Sequence, residues 1–162
     1  MITIATPQDW ETIKAIYIEG MNTHNATFET PDQVSTYEKW IKNKIAEAVF
    51  VYRQDQEILG WAALYQVSSR CVYAGVVELS IYIGAKARGK GIGSALMQHL
   101  IHYTETHNIW SIQSGMFPEN QGSKALHTKF GFREVGTKEK IGKMNGQWRD
   151  VLYMERRSST IF

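Results

Sequence analysis

The run Arg88-Gly89-Lys90-Gly91-Ile92-Gly93-Ser94 constrains this chain more than any other stretch. Before it, Val76-Val77-Glu78-Leu79-Ser80-Ile81-Tyr82-Ile83 is β-branched and aromatic and reads as a strand. After it, Ile92, Leu96, Leu100 and Tyr103 recur at helical spacing, which predicts a helix running to about His107. The run is therefore a strand-to-helix turn. Glycines at alternate positions remove the Cβ atoms that would keep a ligand off the backbone, so several N–H groups can converge at the positive end of the helix. Such a turn is an anion cradle, and Lys86, Arg88 and Lys90 around it suit a polyphosphate better than a single carboxylate.

Spacing separates the phosphate binders that use turns of this kind. Gly84 to Lys90 reads G-x-x-x-x-G-K, but Gly91 stands where a P-loop carries its magnesium-binding Ser or Thr. No apolar strand ending in Asp follows as a second metal ligand. The dinucleotide fingerprint G-x-G-x-x-G fails as well, and no acidic residue is placed downstream for a ribose. What remains is R-x-x-G-x-G, carried by Arg88, Gly91 and Gly93.

The rest of the chain supplies one domain, 1–162, with a single core. Eighteen basic against sixteen acidic side chains give +2, too weak a bias for a nucleic-acid partner. Cys71 is the only cysteine, so a disulfide framework and a multi-cysteine metal site are excluded. The start has no basic region before a long apolar run and no segment reaches membrane-span length, so no membrane partner is expected and the cytoplasm is the default address.

In order, Ile2 to Ala5 is a strand, and Thr6-Pro7-Gln8-Asp9 starts a helix with apolar Trp10, Ile13, Ile16, Tyr17 and Met21. Thr30-Pro31-Asp32-Gln33 repeats the signal as a capping box, predicting a second helix through Tyr37, Trp40, Ile41 and Ile45. Ala48 to Arg53 and Ile58 to Val67 form a hairpin, and Trp110 to Met116 is a further strand. Pro118-Glu119-Asn120 opens a helix ended by Gly131. Phe132 to Ile141 and Trp148 to Met154 close the fold around Gly142 to Gly146, with Arg156 to Phe162 as a solvated tail. This order, β-α-α-β-β-β-α-β-α-β-β, gives an α+β fold with a mixed, largely antiparallel sheet flanked by helices.

The R-x-x-G-x-G turn resembles the pyrophosphate loop of the GNAT superfamily of acyl-CoA-dependent N-acetyltransferases, and the element order is also the GNAT order. Ala26-Thr27-Phe28-Glu29-Thr30, Arg70 to Tyr73 before Glu78, Pro118-x-Asn120-x-x-Ser123-x-x-Leu126-His127 with Gly131-Phe132, and Gly146-x-Trp148-x-Asp150 resemble its phosphinothricin (methionine sulfoximine) acetyltransferase branch. The branch usually carries an aromatic and then a lysine after the glycine at Gly142; here Lys143 and Met144 follow. The resemblance implies acetyl-CoA as cosubstrate with no metal, a small-molecule amine as acceptor, and a homodimer. Residues Leu79, Ser80, Ile81, Tyr82 and Ile83, the loop Arg88, Gly89, Lys90, Gly91, Ile92, Gly93 and Ser94, and Asn120 with Ser123 are then expected to hold the cosubstrate. Phe28, Glu29, Arg70, Tyr73, Lys143 and Trp148 are expected on the acceptor side.

Two side chains are candidates for proton transfer. Alternation puts Val77, Leu79, Ile81 and Ile83 on one face of the strand and leaves Glu78 at the head of a polar row with Ser80 and Tyr82. An amine arrives protonated near neutral pH, so transfer needs a base, and Glu78 is the candidate. His127 occupies the position where many relatives have a tyrosine that protonates the leaving thiolate, and imidazolium is available near pH 7 for that task. Plainer readings exist: Asn120 is a natural helix cap, Phe28 and Trp148 suit a core, and Arg70 suits a solvated loop. Arg70, with Lys143 as a second cation, favours a compact amino-acid-like anion such as phosphinothricin, methionine sulfoximine or methionine sulfone. Polyamine, aminoglycoside or protein acceptors, and a non-catalytic CoA-binding module, are the alternatives.

Overall fold

The strand over residues 76–83 is covered on both faces, and the covers differ. The computed structural model describes residues 1–34 and 36–161. Its strands are β1 (Ile2–Ile4), β2 (Lys44–Gln54), β3 (Glu57–Gln66), β4 (Val76–Ile83), β5 (Ser111–Met116), β6 (Arg133–Met144) and β7 (Gln147–Arg157). They form one sheet ordered β1-β2-β3-β4-β5-β7-β6, antiparallel throughout except for the β4–β5 pair. A parallel pair needs a crossover, and helix α3 (Ile92–Thr106) lies within that connection.

Val77 and Leu79 face a core built with Leu96, Met97 and Leu100 of α3 and with Ile112 and Met154. On the opposite face, helix α1 (Trp10–Met21) sets Ile13, Ile16 and Tyr17 against Val49, Val51, Trp61 and Ala63. Leu96, Leu100, Ile13 and Trp61 have no exposed surface. Each fully buried aliphatic side chain contributes about 1.5–3 kcal/mol.

Three expectations need correction. The capping box at Thr30 makes its bond, Thr30 N to Gln33 Oε1 at 2.8 Å, but supports only a 3-10 turn, Pro31–Gln33. Thr36 then caps a separate helix, α2 (Tyr37–Ile41), through Lys39 N. Its aromatic residues are satisfied within that short span: Trp40 packs 5.2 Å from both Trp10 and Trp61. Ile45 is therefore strand, and β2 begins at Lys44, which pairs with Tyr65, rather than at Ala48.

The loop expected at Gly142 to Gly146 shrinks to Asn145-Gly146, with φ of 51° and 78°, because a two-residue Asn-Gly turn matches strand twist and lets pairing run out to Met144 and Gln147. The C-terminus is no solvated tail: Arg156 and Arg157 belong to β7, and Ser158 is buried. Glu105 of α3 accepts from Arg156 at 2.9 Å and from the hydroxyls of Ser158 and Thr160 at 2.6 Å each. Phe162 lies outside the described residues.

The last helix, α4 (Gln121–Lys129), starts at Asn120 as expected, with Asn120 Oδ1 accepting from Ser123 N at 3.1 Å.

Candidate active site

Strands β4 and β5 pair only at Val76–Ser111, Val77–Ile112 and Glu78–Gln113. Beyond that point β4 continues along β3 to Ile83, and β5 continues along β7 to Met116. The strands part, and a cleft of about 830 Å³ opens between Leu79–Ile83 on one wall and Ser114–Met116 on the other. Since β3 satisfies only one edge of β4, the other edge presents backbone donors and acceptors to the cleft. An extended ligand with amide groups can pair there as a strand would.

The glycine loop closes one end of this cleft. Gly89 and Gly91 have φ of 75° and 81°, a left-handed backbone that favours glycine, and no atom lies within 4 Å of where a Cβ would stand on either. The first bond into α3 runs from Ala95 N to Gly91 O at 3.0 Å. The amides of Ile92, Gly93 and Ser94 therefore have no acceptor within the helix. Gly93 lines the cleft and has a further role: a Cβ on it would lie 3.3 Å from Leu126 Cδ2, so this glycine also serves the packing of α3 against α4.

Arg88 lines the cleft and donates from Nε to Ile83 O at 3.2 Å, whereas Lys90 is exposed and does not line it. A cation the sequence did not reveal is Lys129, whose Nζ donates to Ser94 Oγ at 3.2 Å. Only the docking of α4 brings it there. A polyanionic head on an extended arm fits this set of donors.

Asn120, Ser123 and His127 line the side of the cleft formed by α4. Both halves of the Asn120 amide are occupied, since Nδ2 also donates to Asn25 O at 3.0 Å. The second N–H of Nδ2 is left for a ligand. His127 is 1% exposed. Its Nδ1 lies 2.7 Å from Ser123 O, a carbonyl that can only accept, so Nδ1 carries the proton. Nε2 is then an unprotonated, buried atom without a partner among the described residues. Burial pushes the pKa below the usual imidazole range, although the Ser123 carbonyl opposes it. The imidazolium form expected from the sequence is disfavoured at this site.

Glu78 sits where the strands part, in a register row that reads Lys44, Tyr65, Glu78, Gln113, Glu155, Arg133 across β2, β3, β4, β5, β7 and β6. Its side chain keeps an exposed edge, yet enough protein surrounds the carboxyl to push its pKa up by desolvation. Ser80 accepts from Tyr65 Oη at 2.7 Å. Tyr82 stacks on Trp61 with ring centroids 4.8 Å apart and meets Tyr17 edge-on. Tyr17 Oη donates to Glu29 Oε2 at 2.5 Å.

The remaining acceptor-side expectations scatter. Phe28 meets Phe117 edge-on at 4.9 Å and fills the space over Gly142, where a Cβ would lie 2.8 Å from its ring. Arg70 is exposed on its loop, 5.5 Å from the Tyr73 ring, and Tyr73 faces a separate hollow with Trp110, Gln113 and Glu155. Lys143 stands 4.7 Å over Trp148 on the β6–β7 hairpin. Sequence reasoning also missed Asn25, Ala26 and Ser114–Met116 as cleft walls, because strand parting carries no local signal.

The acetyltransferase (GNAT) domain family matches residues 2–153. Phosphinothricin N-acetyltransferase of Streptomyces coelicolor is 36% identical over 103 residues, 64% of this chain and 60% of that protein, so the match spans less than two thirds of that relative. L-Methionine sulfoximine/L-methionine sulfone acetyltransferase of Pseudomonas aeruginosa is 26% identical over 147 residues, 88% of this chain and 86% of that protein. Among solved structures, a GNAT superfamily phosphinothricin acetyltransferase from Sinorhizobium meliloti in complex with acetyl-CoA superposes with a TM-score of 0.86 at 26% identity, covering 100% of this chain and 95% of that one. A ribosomal-protein-alanine N-acetyltransferase from Brucella melitensis superposes with a TM-score of 0.89 at 28% identity, covering 98% and 99%. With its family match running over nearly the whole length and its parted strands closed by a glycine loop, the chain belongs to the GNAT acetyltransferase family, with phosphinothricin and methionine sulfoximine acetyltransferases among its relatives.

Proposed function

We propose that this chain is an acetyl-CoA-dependent N-acetyltransferase acting on the primary amine of a small amino-acid-like acceptor, of the phosphinothricin, methionine sulfoximine or methionine sulfone type. The observation that carries this reading is the parting of β4 and β5 immediately beyond Glu78, with the glycine loop at the other end of the same cleft. Bound there, acetyl-CoA would supply an activated acyl group.

The residues divide the work by position. The free amides of 92–94 and the Arg88 side chain hold the diphosphate, with Lys129 adding charge nearby. The open edge of Leu79–Ile83 aligns the arm and presents N–H groups that favour charge on the reacting carbonyl oxygen. Glu78 takes the proton of the incoming ammonium, and its raised pKa makes it a better base than an exposed glutamate. His127, neutral and with Nδ1 committed to Ser123, has no proton to give from Nε2, so water protonates the departing sulfur. The reading includes a single domain and, on the branch resemblance, a homodimer, which sedimentation at assay concentration tests.

The deciding experiment is thiol release from acetyl-CoA across free amino acids, their sulfone, sulfoximine and phosphinate analogues, spermidine, an aminoglycoside and an alanine-starting peptide, beside an ATP-hydrolysis control. Preference for the amino-acid analogues supports the proposal. Preference for a polycation or the peptide overturns the acceptor class. Acetyl-CoA binding without thiol release toward any amine leaves a non-catalytic CoA-binding module.

A further inference from the structure

The register row that contains Glu78 also contains a cation drawn inward, Lys44. Lys44, Tyr65 and Glu78 are direct neighbours on β2, β3 and β4 and so project from the same face. With strands about 4.8 Å apart, the Cα atoms of Lys44 and Glu78 are separated by roughly 10 Å, with Tyr65 on the strand between them.

Lys44 Nζ donates to Trp40 O at 2.5 Å and stands 4.2 Å from the Trp40 ring and 4.9 Å from the Tyr65 ring. A lysine that only tied α2 to β2 would keep its head in water while its stem covered apolar surface. This head instead sits between two rings, partly desolvated, and burial pushes its pKa down to about 8 although the charge of Glu29 opposes the shift. Among the described residues, Lys44 takes part in none of the five ion pairs. An ammonium has three donors, and one is used.

The charges on this face of the sheet complement a zwitterion. Glu78 and Glu29 favour an ammonium, and Lys44 favours an anion held beside it. Arg70, the cation suggested by the sequence, belongs to an exposed loop and leans over Tyr73 instead. Resting on the N-acetyltransferase reading above, we propose that Lys44 is the specificity determinant for the acceptor, taking the carboxylate next to the reacting amine with its two unused donors.

Two measurements test this. In the first, Lys44→Met keeps the stem and removes the charge, and initial rates are compared for methionine sulfone and its carboxamide. The wild type prefers the carboxylate. In Lys44→Met the KM for methionine sulfone rises about ten- to hundredfold, the span of a hydrogen bond to a charged group, while KM for the carboxamide and for acetyl-CoA stay put. Lys44→Arg retains the preference for the carboxylate. A Lys44→Met enzyme that still prefers the carboxylate as the wild type does overturns the proposal, as does a fall in Tm with no change in preference, which would make Lys44 a structural tie.

The second measurement uses wild-type protein and needs neither turnover nor a foldable variant. Reductive methylation of Lys44 is followed by peptide mass spectrometry with N-acetylmethionine sulfone or its carboxamide present, neither of which consumes the reagent. Slowing by the carboxylate alone upholds the assignment; equal rates with both compounds refute it. Absence of thiol release with every amino-acid acceptor would defeat the proposed function, and the protection experiment would still decide Lys44.

Discussion

Replacing Gly91 by alanine separates what this glycine does for the chain from what it does for a ligand. Its φ of 81° and ψ of −2° lie in the left-handed region, and no atom stands within 4 Å of the new methyl. The folding cost is therefore backbone strain alone, about 1–2 kcal/mol. For a chain of this length that lowers Tm by roughly 2–8 °C. The methyl also occupies the open space before the free amides of 92–94. Losing one charge-assisted hydrogen bond there weakens acetyl-CoA binding about ten- to hundredfold. Gly91→Asn tolerates the left-handed backbone and so recovers much of the Tm without recovering affinity. Gly93→Ala is the contrast: helical propensity favours alanine by about 1 kcal/mol, offsetting the 3.3 Å approach to the flexible end of Leu126, so Tm stays near wild type. The assay is a thermal scan without ligand beside calorimetric titration with acetyl-CoA. Wild-type affinity in Gly91→Ala would refute the argument, because the added methyl would then not meet the ligand.

Glu78→Gln should lower turnover by about a hundredfold or more while leaving acetyl-CoA affinity intact. Because desolvation raises the Glu78 pKa, the wild-type rate should fall on acidification from a higher pH than the ordinary glutamate range near 4.3 would give, and the variant should lack that limb. Wild-type turnover in the variant would remove Glu78 from the chemistry. Glu105 is held at a pKa of about 2, chiefly by hydrogen bonds from Ser158 and Thr160 and then by Arg156. Its contribution to stability is complete above the unfolded carboxyl range near 4.3 and disappears as pH falls toward 2. Glu105→Gln should accordingly show a Tm deficit that is constant above about pH 5 and narrows toward pH 2. A deficit that ignores pH would assign the effect to shape instead.

Local chemistry was legible in the sequence. The turn from β4 into α3, the Asn120 cap and the apolar stripes of α1 and α3 each depend on residues a few positions apart. Asn145-Gly146 carried an equally local hairpin signal, which the neighbouring Gly142 masked. What stayed hidden depends on partners far along the chain. Nothing near Glu78 announces that β5 abandons β4 at Gln113, and nothing near Ser94 announces Lys129. The second helix failed for a related reason: its cap was real, but Trp40 packs against Trp10 and Trp61, both far along the chain, and Lys44 was worth more paired to Tyr65 than continuing a helix. Of the acceptor-side residues, only Glu29 lies in one network with the tyrosines on the Glu78 face.

Three residue pairs join the two leaves of the sheet, β1–β4 and β5–β7, and the leaves follow one another in the chain. On the ribosome, Thr106 emerges with all of β1–β4, α1 and α3 already made, before any strand of the second leaf exists. The first leaf is a run of antiparallel neighbours between helices that pack against it, so its contacts can form during synthesis. The glycine loop is complete at that moment, but the wall opposite Leu79–Ile83 is not. A nascent chain thus acquires the glycine loop before it has a cleft to confine a ligand, and the last strands to be translated supply the wall opposite Leu79–Ile83.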